Sequence, residues 1–251
     1  MTGSNFRLSI AGLTDIGLKR EANEDFIGFD EQARVAVLAD GMGGRQAGEV
    51  AAKIAVEVLL ECLRKARGVQ GVRQGQDFPG VLVDAIGRCN HRIYQHSRRV
   101  QGCRGMGTTV VGMVVAGARL YAAHVGDSRL YLYREKRLSR LTKDHSMVQE
   151  WVDKGLYTEE QARTSSVAHL LTRALGSNKE VRVDTLEEEL SGGDIVLLCS
   201  DGLSDMMADA DIAKILESGL PDLAGTTGTL IEAANNNGGW DNIAVVLVQV
   251  Q

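Results

Sequence analysis

Four short acidic stretches hold the residues best suited to chemistry: Arg20-Glu21-Ala22-Asn23-Glu24-Asp25, Asp40-Gly41-Met42-Gly43-Gly44, Ser200-Asp201-Gly202 and Asp241-Asn242. Each lies beside a run of strand-forming residues, and strands can carry distant carboxylates to one point. Carboxylates gathered there repel one another and hold protons at neutral pH unless a cation compensates. The pattern predicts a site for hard divalent cations, and a pair of such cations is suited to attack on phosphate esters. Taken singly, each stretch also has an ordinary explanation. Asp-Gly ends many strands, Asp241 could be a turn residue, and Arg20 could pair with Glu24 at i,i+4 spacing. Their joint occurrence in this order raises the odds of a shared site.

The elements that must position these residues are legible as patterns. Val35–Ala39 before Asp40, and Ile195–Cys199 before Asp201, read as buried strands. The glycines after Asp40 let the backbone turn and bring a carbonyl close to a ligand. Further strands are predicted over Arg7–Asp15, Arg34–Asp40, Thr108–Ala116, Arg119–Val125, Arg129–Tyr133, Arg182–Leu190, Asp194–Cys199 and Asn242–Val250. Gly117-Ala118 suits a hairpin turn, and Gly126-Asp127-Ser128-Arg129 places another carboxylate between strands. Gly48–Ala66 reads as an amphipathic helix, with Val50, Ile54 and Val58 beside Ala51, Ala55 and Leu59. Val81–Arg99, Asp209–Ser218 and Leu223–Asn235 are further helices, and Gly68–Gly80, with Pro79, reads as a loop. Ser146–Ser166 reads as an inserted, partly helical flap. Strands in runs, separated from helices in pairs, predict a layered α+β domain rather than alternating βαβ units.

Bulk properties narrow the function. The chain has 251 residues, is 44% hydrophobic and carries a net charge of −5. That supports a real core and argues against a general nucleic-acid-binding surface. Met1–Ile10 lacks the pattern of a signal peptide, and runs such as Val110–Ala116 are too short to span a bilayer. Cys62, Cys89, Cys103 and Cys199 show no CxxC spacing, so a reduced, cytoplasmic protein is expected. Cys89, His91, His96 and Cys103 fit no common zinc spacing, and Gly105–Thr109 lacks the lysine of a phosphate-binding loop. Arg98, Arg99 and Arg104 form a local basic cluster, either a solvated helix end or a contact for acidic or phosphorylated partners.

Taken together these residues resemble the metal-dependent protein serine/threonine phosphatases of type 2C, in their compact bacterial form. The resemblance runs from about Ala11 to Val248. Its elements are Gly17–Asp25, Ala39–Gly44, Gly107-Thr108-Thr109, Val125–Arg129, Leu141–Ser146, Leu171–Gly176, Ser200-Asp201-Gly202 and Asp241-Asn242-Ile243. It implies a four-layer α-β-β-α sandwich, with two central antiparallel β-sheets flanked by helix pairs, as one domain over residues 1–251. It also implies two Mn²⁺ or Mg²⁺ ions. Asp40 would bridge them, Glu24 and the backbone oxygen of Gly41 would serve one, and Asp201 and Asp241 the other. Asp25 would hold water beside the ions, and Asp127 with Asp201 would take a third. Arg20 would clamp the phosphoryl oxygens, and activated water would attack phosphorus with no phosphoenzyme.

Where many relatives carry a histidine near the aspartate-glycine pair, this chain has Met42 and Arg45, neither a good general acid. His145 is a candidate acid, or a structural histidine beside Asp144. The expected partners are proteins phosphorylated on serine or threonine, a eukaryotic-like kinase and its substrates, and components of secretion machinery, with the chain monomeric. Two alternatives stay open: a phosphoprotein-binding regulator of the same fold with weak catalysis, and another two-metal phosphoesterase.

Overall fold

The computed structural model describes residues 6–43, 47–68, 77–163 and 165–251. Its elements in chain order begin with β1 (Leu8–Asp15), β2 (Asp25–Asp30), β3 (Val35–Met42), α1 (Ala47–Arg67) and α2 (Phe78–Arg99). Five strands follow: β4 (Gly107–Thr108), β5 (Val110–Ala116), β6 (Arg119–Val125), β7 (Arg129–Arg134) and β8 (Arg137–Arg140). Then come α3 (Met147–Asp153), α4 (Glu159–Arg163), β9 (Asp184–Glu189), β10 (Ile195–Cys199) and α5 (Asp201–Ser204). The chain closes with α6 (Asp209–Gly219), α7 (Leu223–Asn236) and β11 (Ile243–Val250).

The strands that carry the acidic residues have two apolar faces. In β3, Val35, Val37 and Ala39 point one way and Ala36 and Leu38 the other, and all are fully buried. β11 divides likewise, with Ile243, Val245 and Leu247 opposite Ala244, Val246 and Val248. Side chains alternate along a strand, so such strands need cover on both sides. Two antiparallel sheets supply one side by packing face to face. Their orders are β1-β11-β10-β7-β8 and β2-β3-β5-β6-β9, with β4 paired to β3. Helices supply the other: α1 and α2 cover the second sheet, α6 and α7 the first. This is the expected four-layer sandwich. Truncating a side chain such as Leu38 at its centre would cost about 2–5 kcal/mol.

α1 buries the Ala51, Ala55 and Leu59 row completely, while Val50, Ile54 and Val58 pack only partly against the core. The smaller row wins because small residues let the helix approach the sheet closely. Gly117 and Ala118 join β5 and β6 as the predicted hairpin turn.

Several boundaries differ from expectation. α2 starts at Phe78 rather than Val81, because Asp77 caps it, accepting from Gly80 N at 3.0 Å, and Pro79 fits the first turn. β2 and β8 are strands that the sequence pattern does not show. β2 opens and closes on aspartate with a central glycine, and β8 is largely polar, so neither presents an apolar alternation. The segment read as a loop at Gly68–Gly80 lies mostly outside the described residues. The flap contains two short helices, α3 and α4. Ser146 caps α3, and Trp151 meets Tyr157 edge-on at 5.0 Å.

The strand registers bring the ends of β1, β3, β6 and β10 and the starts of β2, β7 and β11 to one edge of the sandwich.

Candidate active site

That edge gathers the acidic residues. Asp40, near the end of β3, stands directly opposite Asp25, the first residue of β2. The backbone of Asp40 is clamped: its N donates to Thr109 Oγ1 at 3.1 Å, and its carbonyl accepts from Thr108 Oγ1 at 2.7 Å and Thr109 N at 2.8 Å. Thr109 is in turn tied to Ser128 by a 2.6 Å hydroxyl contact. Gly41 admits no side chain, since a Cβ there would lie 2.3 Å from Gly48 O and 2.6 Å from Glu24 O. This close approach lets Gly41 N donate to Glu24 O at 3.1 Å.

Asp201 is reached from the other sheet. β10 ends at Cys199, Ser200 leaves the strand, and Asp201 opens α5. Gly202 is required by the same crowding, with a Cβ there falling 2.0 Å from Asn242 O. Ser200 ties the sheets together: its hydroxyl donates to Asp25 Oδ2 at 2.7 Å and accepts from Ala244 N at 2.8 Å.

Asn242 is the organising residue of the β1–β2 connection. Its Oδ1 accepts from Glu24 N at 2.8 Å, and its Nδ2 donates to Ile16 O and Ala22 O, both at 2.9 Å. Its own N–H donates to Asp241 Oδ1 at 2.8 Å. Arg20 Nη2 donates to Asp241 Oδ2 at 2.5 Å, so the i,i+4 pair with Glu24 is not formed. The Arg20 side chain is still 52% exposed, leaving its other N–H groups turned to solvent.

The electrostatics are those of a crowded acidic centre. Burial, then the charges of Asp25, Asp201 and Asp127, pushes the Asp40 carboxyl well above its usual range. Burial, then Asp127 and Asp205, does the same to Asp201. Burial raises Asp25 to about 7, against the opposing hydrogen bond from Ser200. Asp127 also rises to about 7, through burial and then Asp144. Glu24 is raised by burial, opposed by Gly48 N and Arg20. Asp25 Oδ1 and Asp201 Oδ1 are buried with no hydrogen-bond partner. An orphaned carboxylate oxygen in a cluster of like charges fits a cation. Among the described residues no three His, Cys, Asp or Glu side chains close on a point that could hold an ion by themselves. Backbone oxygen and water would have to complete a shell, and such an all-oxygen donor set suits Mg²⁺ or Mn²⁺.

All the predicted site residues therefore meet at this edge, with Asp127 on its β6–β7 side. A cavity of about 60 Å³ separates Asp127, Asp201 and Asp205 from α3 and α4 of the flap. Asp205 is a site residue that the sequence reading did not single out, and Ser200 and Asn242 stood there within the acidic stretches without a role of their own. Asp205 carried one usable signal, its i,i+4 spacing from Asp201. Arg45 and Gly44 lie outside the described residues, and Met42 pairs with Gly107.

His145 is structural. Its Nδ1 accepts from Gly126 N at 3.1 Å, so its proton sits on Nε2, 3.2 Å from Asp184 Oδ2. The ring stacks on His124 at 4.6 Å. Burial, then His124 and Arg173, lowers its pKa to about 4. Cys89 is buried and donates to Ala55 O, while the exposed His91 contacts Gln95, so the weighed zinc set does not assemble.

The family description "Protein phosphatase 2C" matches residues 19–233. The serine/threonine protein phosphatase PstP of Mycobacterium tuberculosis is 38% identical over 97% of this chain, which spans 45% of that relative's length. Protein phosphatase PhpP of Streptococcus pneumoniae is 35% identical over 97% of this chain and 98% of its own. A crystal structure of the PstP catalytic domain in complex with two manganese ions superimposes with a TM-score of 0.86 at 38% identity, covering 98% of this chain and 99% of that one. PppA, described as a key regulatory component of T6SS in Pseudomonas aeruginosa, gives a TM-score of 0.82 at 28% identity over 97% of this chain and 98% of its own.

Proposed function

This chain belongs to the protein phosphatase 2C family, and we propose from that premise that it hydrolyses phosphoserine and phosphothreonine in proteins. The observation that carries the reading is the cluster of Asp25, Asp40 and Asp201, whose carboxyls burial and mutual repulsion push upward and of which two oxygens are buried without a hydrogen-bond partner. Asp40, Glu24, the Gly41 carbonyl, Asp201 and Asp241 would hold two Mn²⁺ or Mg²⁺ ions, and Asp127 with Asp201 a third. Bound ions would supply Lewis acidity and a water of lowered pKa.

The chain's own residues do the rest. Arg20, anchored on Asp241, offers its remaining N–H groups to the phosphoryl oxygens and spreads the charge of an in-line transition state. Ser200 fixes Asp25 so that Oδ1 can accept a proton from water beside Asp40. Asn242 keeps Glu24 and Asp241 in register with each other. Cys89 and Cys199 are buried and their thiols pushed up to about 12, so neither is a thiolate nucleophile.

The flap borders the Asp127–Asp201 side and is the natural place for substrate selection. Among the described residues no helix is long and apolar enough to cross a membrane. The proposed partners are serine/threonine-phosphorylated proteins and the kinase that opposes this enzyme, in the cytoplasm, with residues 1–251 acting as one monomeric unit. Secretion machinery enters only through the likeness to PppA.

The test is hydrolysis of a phosphothreonine peptide with Mn²⁺, with chelator, and by Asp201→Asn. Metal-dependent release of phosphate that the variant lacks supports the reading. A wild type that binds Mn²⁺ yet leaves the peptide intact overturns it, in favour of a phosphoprotein-binding role or a different phosphoester.

A further inference from the structure

A cleft of about 720 Å³ opens at the C-terminal end of α2, away from the acidic centre. Tyr94, Ser97, Arg98 and Arg99 reach it from the last turns of α2, Arg104 from the turn beyond, and Ser177 from the segment after Leu175. The three arginines are exposed. Among the described residues none of them forms an ion pair with a carboxylate. That is unusual company in a chain of net charge −5. Arg98 is pre-oriented, donating to Tyr94 Oη at 2.9 Å with its guanidinium 5.4 Å from the ring centre.

A basic last turn also complements a helix dipole, which would account for Arg98 and Arg99. It does not account for Arg104, which lies past the helix and lines the same cleft.

Two chain segments lead from the lining of the cleft towards the acidic centre. Gly105 lines it, and Thr108, three residues on, donates to the Asp40 carbonyl at 2.7 Å. Three extended residues span at most about 10 Å. Gly176, also in the lining, follows Leu175, which bridges to Thr108.

We propose that this cleft binds a second phosphoryl group carried by the same substrate chain, a few residues from the one being hydrolysed. The inference rests on the phosphatase reading above. Guanidinium forks match phosphate oxygens, and several acting together discriminate a doubly phosphorylated segment from a singly phosphorylated one.

The experiment compares peptides carrying one phosphothreonine alone with peptides adding a phosphoserine three or four residues to either side, a glutamate at the same places, or a phosphoserine ten residues away. KM is measured on the Mn²⁺-loaded protein, and binding of the same peptides is followed by fluorescence anisotropy in chelator. The near second phosphate is expected to lower KM and Kd by roughly tenfold, the size of one charge-assisted contact. Arg99→Ala combined with Arg104→Ala should abolish that gain while leaving turnover of a small aryl phosphate unchanged. Equal affinity for the one- and two-phosphate peptides overturns the proposal. So does a gain that survives in the double variant, one equally large at ten-residue spacing, or one that glutamate reproduces in full. If no peptide is hydrolysed the phosphatase reading falls, and the anisotropy series still decides the cleft.

Discussion

Two crowded acidic groups have been resolved in opposite ways. Asp144 is met by the Arg129 fork, with Nη2 at 2.7 Å and Nε at 3.1 Å, and by Arg140 at 3.4 Å. Their side chains are only 9% and 18% exposed for Asp144 and Arg129, and Arg129 spends another N–H on Tyr131 Oη. Asp25, Asp40 and Asp201 have no such partner. The first group is neutralised from within the chain, whereas the second retains its repulsion and two orphaned oxygens. A fold needs buried charge compensated. Where the chain supplies no counter-charge of its own, the repulsion among the carboxyls lowers stability, and a bound cation would relieve it.

The comparison breaks most sharply at Asp40. Asp40→Asn should lower kcat on phosphopeptide by about 10³-fold, about 4 kcal/mol of barrier. The same change should raise Tm in chelator, because an amide is spared the burial and the like charges that push the Asp40 carboxyl up. A lowered Tm would mean that the cluster is not strained. At the neutralised group the sign reverses. Asp144→Ala leaves Arg129 buried and unpaired and should cost about 3–5 kcal/mol, read by urea denaturation. A cost below about 1 kcal/mol would show that water reaches Arg129.

Arg20 belongs to both worlds, being paired yet half-exposed. Arg20→Ala should reduce kcat/KM by about 10- to 100-fold, with Arg20→Lys intermediate because lysine lacks the fork.

The pH response sharpens the contrast further. Asp25 and Asp127 rise from 3.8 to about 7 on folding. A pKa raised on folding gives stability that is present at low pH and is lost as pH rises through the folded value. In chelator, Tm should therefore fall as pH rises from about 4 to about 7 and level off above that, and saturating Mn²⁺ should flatten that slope. His145 has the opposite sign, its pKa dropping from 6.5 to about 4. Its contribution is present above about pH 6.5 and lost as pH falls towards 4. His145→Gln should blunt that acid-side loss in urea midpoints, with little change in turnover at neutral pH. A large loss of turnover at neutral pH in this variant would return His145 to the reaction.

Much of this was open to reading from residue types. Val35–Ala39 and Ile195–Cys199 are apolar at every position and read as buried strands, and the order of strand runs and helix pairs implied layers. The aspartates at their ends announced oxygen ligands without histidine or cysteine. β2 and β8 escaped notice because one is bounded by aspartates around a glycine and the other is mostly polar. Their strand character comes from the neighbours they pair with.

What the sequence determined by itself was chemistry and periodicity: the carboxylates, the two-faced strands, the amphipathic helices. Those are local properties, fixed by side-chain type and by spacings of two or about four residues. What the tertiary structure decided was partnership. Arg20 meets Asp241 rather than Glu24, Ser200 joins Asp25 across the two sheets, and Asn242 locks the turn before β2. Arg98 and Arg104 come to share one cleft. The longest of these contacts close loops of more than a hundred residues, and no local pattern encodes which of several chemically equivalent partners a folded chain will bring within 3 Å.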